Sequence, residues 1–428
     1  MRKNISRYRW FVVAVFFFFM LLHQTDRLMI GSMQEPVMKE FGITDLQWGL
    51  INTGALVVST LLYPVWGYLY DRYARAKLLA LASFVWGATT WLSAIARAYP
   101  QFLVTRASTG IDDSSYPGLY SLVADYFGPN LRAKIYGLLQ LAQPIGYLLG
   151  MILALMVAPL IGGWRSVFYI TATLGLVIAV LIYFGVKDMP RGKAEPEFED
   201  MSEMNQFRFN WQEARDIFKK KTLWFIFLQG FAGVFPWNVI TYFFFGYLMR
   251  ERGYENDAVL MTMAPVVLVL AFGTFLGGWL GDWAFRRTYK GRLLVSSAGV
   301  LFGAVFLVLA IQTPIAERGQ FFLLMTLTAL FMPFAAPNTV AIVHDVTVPE
   351  VRSTAQAVEY FIENFGAASA PLLAGLIATA YDLKTAILWI STLAWGVCFL
   401  LYFGAFFTID HDARSLRSQM QSRAESMQ

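Results

Sequence analysis

The sequence predicts an all-α membrane protein with twelve transmembrane helices in two pseudo-symmetric six-helix bundles. Three observations carry this. The chain is 57% apolar and only 15% charged, with a mean hydropathy of +0.51, whereas a soluble domain carries about 25% charge. Its apolar residues fall in runs of about 20, long enough to cross the hydrocarbon core, and not in the narrow stripes of a helix half in water. Its halves also repeat: Pro117, Asp125, Pro129, Arg132 and Gly146 are matched by Pro337, Asp345, Pro349, Arg352 and Gly366 at one offset of 220 residues. Parallel repeats of this kind place a solute site near the midplane, between the halves.

The spans run roughly 8–32, 46–70, 76–97, 101–127, 132–159, 165–187, 222–249, 258–285, 292–313, 319–345, 353–380 and 385–408. The start, MRKNISRYRW followed by an apolar run, has the look of a leader peptide. It lacks a small-residue cleavage site and more spans follow, so it reads as an uncleaved first helix. Residues 1–187 form the first bundle and 222–408 the second. The linker 188–221 holds the polar MPRGKAEPEFEDM and then FNWQEARDIFKKK, which reads as an amphipathic interfacial helix ending in Lys219, Lys220 and Lys221. The tail 409–428 is polar and expected to be partly disordered.

With both termini on one side, that side holds 25 of the 34 basic residues. The other holds Lys39, Arg97, Arg165, Arg250, Arg252, Arg318 and Lys384, and Arg27 and Arg106 lie inside spans. The bias puts both termini in the cytoplasm of a multi-pass protein, for a bacterium the inner membrane. A net charge of +5 scattered over short loops fits membrane orientation and not nucleic-acid binding. The only cysteine, Cys398, lies in an apolar run and reads as a small buried hydrophobe. No phosphate-binding glycine loop, metal-ligand spacing or nucleophile elbow is present, so no enzyme, cofactor, metal or catalytic residue is expected.

The chain is organised around Val104–Phe127, VTRASTGIDDSSYPGLYSLVADYF. It is long enough to span yet carries Arg106, Asp112 and Asp113. Buried charges in a bilayer are costly and mark solute or proton pathways by default. Arg106 and Asp113, two turns apart, share one helix face, while Asp112 points about 100° away. Asp26 and Arg27 lie at similar depth in the first span. Asp26, Arg27, Arg106 and Asp113 therefore read as an ion network for proton coupling or gating; the alternative is a static pair that fixes packing. Asp112 and Tyr116 read as cavity residues. So do Glu359 and Glu363, one turn apart in span eleven, with Glu359 nearer the interface. Trp237 and Asn238 follow Pro236, and Asn338 follows Pro337. Proline frees backbone carbonyls for solute contact, or simply kinks the helix. His344 reads as an end-of-helix residue. The runs Phe16–Phe19 and Phe243–Phe245 are expected to face lipid.

The loop Gly67-Tyr-Leu-Tyr-Asp71-Arg72-Tyr-Ala-Arg75-Ala-Lys77 resembles the G-x-x-x-D-R-x-x-R-x-K motif of the major facilitator superfamily. A degenerate copy runs from Gly278 to Asp282 with Arg286 and Arg287. Within that superfamily the chain resembles spinster-like transporters, through Thr25-Asp26-Arg27, TRASTGIDDSSY from Thr105, QPIGYLLG from Gln143 and RSTAQA from Arg352. Arg106 matches that family's span-four arginine and Asp113 its glutamate, while Asp112 stands where the family has glycine. The anion–cation symporters of the same superfamily also carry an Asp-Arg pair in span one. The resemblance implies that Gly67, Asp71, Arg72 and Arg75 form a conformational latch. It also implies that the span-one and span-four acids act in proton coupling, and that the solute is a lysophospholipid or sphingoid phosphate. The expected protein is a monomeric, proton-coupled secondary transporter of an amphipathic or anionic solute. The alternatives are a small-organic-anion symporter and a membrane sensor that binds solute without carrying it.

Overall fold

Residues 2–113, 115–127, 135–136, 138–189, 215–348 and 351–426 are described by the structure, a computed structural model. Among them, eleven helices are long and apolar enough to cross a membrane, from Arg7–Ser32 to Leu383–Phe406. The remaining expected span, 101–127, is helical but broken into Tyr99–Ser108, Gly110–Asp113 and Tyr116–Tyr126. Two local causes are visible in its sequence. Pro117 in the first turn of the third piece has no N–H to donate back toward Asp113. Gly110 packs so closely on the second span that an added Cβ would stand 2.1 Å from the Ala55 carbonyl oxygen. The stretch with the costliest residues is thus also the least regular, and irregular backbone at membrane depth is tolerated only inside protein or along a cavity.

The helices form two compact units. The first is drawn from Met1–Met204, Thr241–Leu260 and Pro371–Thr379, the second from Asn205–Ile240, Met261–Ala370 and Ala380–Gln428. The first unit therefore takes in the ends of spans seven and eleven as well as the first six spans.

Within the first unit, Ala142–Ile152 lies against the first span. A Cβ on Gly146 would meet the Leu21 carbonyl and the Gln24 side chain at 3.0 Å. That is the physical need behind the glycines of QPIGYLLG: side chains there would push the two backbones apart. The helix Asp45–Arg72 starts at a capping box, with the Thr44 hydroxyl accepting from the Gln47 N–H at 3.3 Å and the Gln47 side chain accepting from the Thr44 N–H at 2.9 Å. Away from the termini, a short helix, Gln34–Phe41, leads into that cap. There Arg250, at the end of span seven, pairs with Glu35 at 2.7 Å and Asp45 at 2.6 Å. The Leu46 N–H donates to Thr379, from span eleven, at 2.9 Å.

Three expectations are corrected. The tail is a helix, Ile409–Ser426. Asp410 and Asp412 stand in its first turn, where carboxylates complement the helix dipole; Asp412 also accepts from the Thr222 N–H at 3.0 Å and Asp410 pairs with Lys290 at 3.3 Å. The phenylalanine runs do not all face lipid. Phe16 and Phe19 are buried and Phe18 is exposed, whereas Phe243, Phe244 and Phe245 are all buried, because span seven joins the first unit at this point. The linker residues 190–214 lie outside the described residues; of the expected amphipathic helix, the described part includes the single 3₁₀ turn Ile217–Lys219.

Candidate functional site

Within the first unit, spans one, three, four and six converge on Asp26. This carboxylate is 2% exposed. One oxygen accepts from Trp86 Nε1 and Thr90 Oγ1, each at 3.2 Å, and pairs with Arg106 Nη1 at 3.4 Å. The other accepts from Thr171 Oγ1 at 3.2 Å. Asp26 is therefore fully used, as a buried charge must be. Arg106 also lies over the Phe168 ring, 5.4 Å from its centroid, a cation–π contact.

A second pair crosses beside the first: Arg27 Nε stands 3.9 Å from Asp113 Oδ2. Each span-one member thus faces an opposite charge on span four. The Arg27 side chain is 37% exposed, so this pair is the loose one. Arg106 pairs with Asp26, not with Asp113 on its own helix face, because the helix is interrupted at Thr109 between them. Asp112 and Asp113 are neighbours in one helical piece, and both carboxylates reach one partner.

That partner is His23, which the sequence reading passed over. Its Nε2 stands 2.5 Å from Asp112 Oδ2 and 3.2 Å from Asp113 Oδ1. Its Nδ1 meets the Tyr116 hydroxyl, which also accepts from Gln24 Nε2 at 3.2 Å. The ring stacks near Phe19 and stands edge-on to Trp86, with centroids 6.0 Å and 5.5 Å away. One signal was available: His23 precedes Asp26 by three residues and Arg27 by four, the spacing of one helix face.

His23, Asp26, Arg27, Arg106, Asp113 and Tyr242 line a small cavity of about 20 Å³, counted over positions open to a water centre. That is room for about one ordered water. Asp112 does not line it. It is 1% exposed, and among the described residues the close partner of its carboxylate is His23 Nε2. Asp112 and Tyr116, expected in a solute cavity, stand behind His23.

In the second unit, Glu359 is buried and accepts from Gln356 Nε2 at 2.7 Å, while Glu363, one turn on, is half-buried. Glu359, expected nearer the interface, is thus the more enclosed of the two. Asn238 donates to the Val234 carbonyl of its own helix at 3.0 Å, beside the half-buried Trp237. Asn338 donates to the Gly277 and Phe334 carbonyls at 2.9 and 2.8 Å. Both asparagines are engaged with helix backbone. Cys398 is buried against Gln229, its Sγ 3.6 Å from the Gln229 carbonyl oxygen.

Of the expected latch, the side chains of Gly67, Asp71 and Arg72 lie outside the described residues. Arg75 is 3% exposed and pairs with Asp125 at 2.5 Å and Asp188 at 3.4 Å; it also donates to the Met189 carbonyl at 2.8 Å.

Comparison with known proteins agrees with this architecture. Protein spinster of Drosophila melanogaster is 27% identical over 384 residues, which cover 88% of this chain and 63% of that protein; the chain thus spans somewhat under two thirds of that relative's length. The sphingosine-1-phosphate transporter SPNS2 of Danio rerio is 27% identical over 377 residues, 84% of this chain and 74% of that protein. A crystal structure of a bacterial homolog to the human lysosomal transporter spinster, inward-facing and unoccupied, superimposes with a TM-score of 0.85. It is 20% identical and covers 95% of this chain and 98% of that one. Residues 15–317 match the family model described as Major Facilitator Superfamily. A family model matched over most of the chain, on a multi-pass helical fold of this kind, means that the chain belongs to the Major Facilitator Superfamily.

Proposed function

We propose that the protein is a secondary active transporter that couples proton movement to the passage of an amphipathic solute by alternating access. The observation that carries this reading is the crossed pair of ion contacts, Asp26 with Arg106 and Asp113 with Arg27, at a small cavity inside a membrane-spanning unit. Four buried or half-buried charges in such a unit are expensive for a merely structural protein, and in membrane proteins they mark ion and solute paths. The pairs differ in kind. Asp26 has four partners, whereas Asp113 has a loose arginine and a histidine. Asp113 is therefore the carboxylate whose contacts can change more readily, and Asp26 is the anchor.

The solute class rests on chemistry and on likeness together. A site with both charge signs suits an anionic or zwitterionic head. The relatives include a protein named as a sphingosine-1-phosphate transporter. A lysophospholipid or sphingoid phosphate is the solute we propose. Both termini lie in the cytoplasm on this reading, from the bias of basic residues.

The test is uptake into proteoliposomes holding the purified protein, with sphingosine-1-phosphate, lysophosphatidylethanolamine and a panel of small carboxylates. Saturable uptake of a lysolipid is the expected result. Uptake confined to a carboxylate would replace the solute class. Saturable binding with no flux would replace the transporter by a sensor.

A further inference from the structure

We infer that His23 takes up the coupling proton and that Asp112 ties this proton to the position of the broken span four. The inference rests on the proton-coupled reading above and adds to it two residues outside the crossed pairs.

The argument begins with charge. The groups facing His23 are Asp26 and Arg27 on its own helix, Arg106, Asp112, Asp113 and Tyr116 on span four, Tyr63 on span two, and Tyr242 on span seven. Three carboxylates stand against two guanidinium groups. A neutral His23 leaves this enclosed set with one negative charge in excess, and a protonated His23 balances it. Charge imbalance in a low-dielectric interior is costly, so occupancy by one proton is the state that suits the arrangement.

Geometry assigns the proton's place. Nε2 faces both carboxylates, at 2.5 and 3.2 Å. Nδ1 is already occupied by the Tyr116 hydroxyl. His23 and Asp113 line the cavity while Asp112 does not, so a proton arriving from water meets His23 before Asp112. The step is a plain transfer: a hydronium in the cavity gives its proton to the ring nitrogen that is still bare, one O–H bond breaks as one N–H bond forms, and water is left.

Asp112 supplies the coupling to conformation. It is almost wholly enclosed, and among the described residues the close partner of its carboxylate is His23 Nε2, 2.5 Å from Oδ2. Protonated His23 is then its one close countercharge. Loss of that proton strands a buried carboxylate, which is strongly unfavourable. Asp112 and Asp113 sit on a four-residue helical piece, Gly110–Asp113, with a turn residue before it at Thr109 and another after it at Ser115. A short piece with breaks at each end can shift without moving a whole helix, and that shift is how the stranded charge finds relief. The histidine and this carboxylate therefore work as one pair.

The first test reads the proton directly. The chain holds three histidines, His23, His344 and His411. In a His344→Gln/His411→Gln double variant, ring-labelled histidine reports His23 alone by nuclear magnetic resonance. The expected result is gain of one proton by this ring as pH falls, with a midpoint that moves in Asp112→Asn. A ring held in one state throughout overturns the inference. The second test is pH-gradient-driven uptake of sphingosine-1-phosphate or lysophosphatidylethanolamine, set against exchange of the same solute at equal pH. His23→Gln is expected to lose the gradient-driven component by tenfold or more, a larger loss than it suffers in exchange. A parent protein indifferent to pH would defeat the proton-coupled reading itself. A coupled parent with an equally coupled His23→Gln would defeat only the role of His23. Should His23→Gln fail to fold, the resonance experiment, made with His23 in place, decides alone.

Discussion

Arg75 and Asp125 are joined by a 2.5 Å ion pair that ties the start of span three to the end of span four. The same relation recurs in the second unit, where Arg292, at the start of span nine, pairs with Asp345, at the end of span ten. Asp125 and Asp345 belong to the 220-residue repeat; the two arginines are 217 residues apart and escaped it. The repeat is therefore a repeat of contacts, and it tolerates a small change in loop length.

This relation gives a first prediction. Asp125→Asn removes one charge from a nearly enclosed arginine that keeps its contact with the Met189 carbonyl. The expected loss is about 2 kcal/mol, the scale of a hydrogen bond to a charged group. Asp345→Asn should cost less, because Arg292 keeps Asp282 at 2.7 Å. Thermal unfolding of the two variants in one detergent checks the order. Equal losses would contradict it.

Asp26→Asn should be the more damaging change at the site. It leaves Arg106 buried with its one carboxylate partner neutral, and breaking a buried pair from one side costs about 3–5 kcal/mol. Arg27→Gln, at the looser and more exposed pair, should leave thermal stability within about 1 kcal/mol of the parent.

Gly110 gives a packing prediction. A Cβ there meets backbone on the second span at 2.1 Å and 2.8 Å, neither of which can swing aside. Gly110→Val should cost at least about 1–3 kcal/mol through overpacking, whereas Gly319→Val, with nothing within 4 Å, should be nearly neutral.

The Glu35–Arg250–Asp45 cluster carries a pH prediction. Burial pushes the Glu35 carboxyl above its usual range; Arg250 pulls it back in part and Asp45 adds to the rise. The closed cluster then holds a proton more readily than separated side chains do. The stabilisation from this proton is fully present below the ordinary glutamate value and is lost as pH rises through the raised one. The melting temperature of the parent should therefore rise, from Glu35's part, as pH falls through that window. Glu35→Gln should flatten this component. An unchanged profile in Glu35→Gln would remove Glu35 from the account.

Most of the fold was legible because lipid imposes a simple code: long apolar runs, polar breaks and a bias of basic residues. The crossed pairs were legible too, since charges as rare as Asp26, Arg27, Arg106 and Asp113 have few places to go in a bilayer. What escaped depended on backbone detail or on distant partners. The turns at Thr109 and Ser115 escaped, though Gly110 and Pro117 stand beside them, and the meeting of Asp112 and Asp113 on one histidine depends on where span one passes. His23 drew no notice because its partners lie about 90 residues away. The tail helix Ile409–Ser426 escaped because it has no apolar run, and its order comes from Asp410 and Asp412 pairing with distant residues.

The most direct test of the central claim is solute-induced proton movement in proteoliposomes, for the parent and for Asp113→Asn. The account predicts that adding sphingosine-1-phosphate or lysophosphatidylethanolamine moves protons with the parent. In Asp113→Asn it predicts that proton movement falls by tenfold or more while solute binding is retained. Undiminished proton movement in Asp113→Asn, or solute uptake by the parent with no proton movement at all, would contradict it.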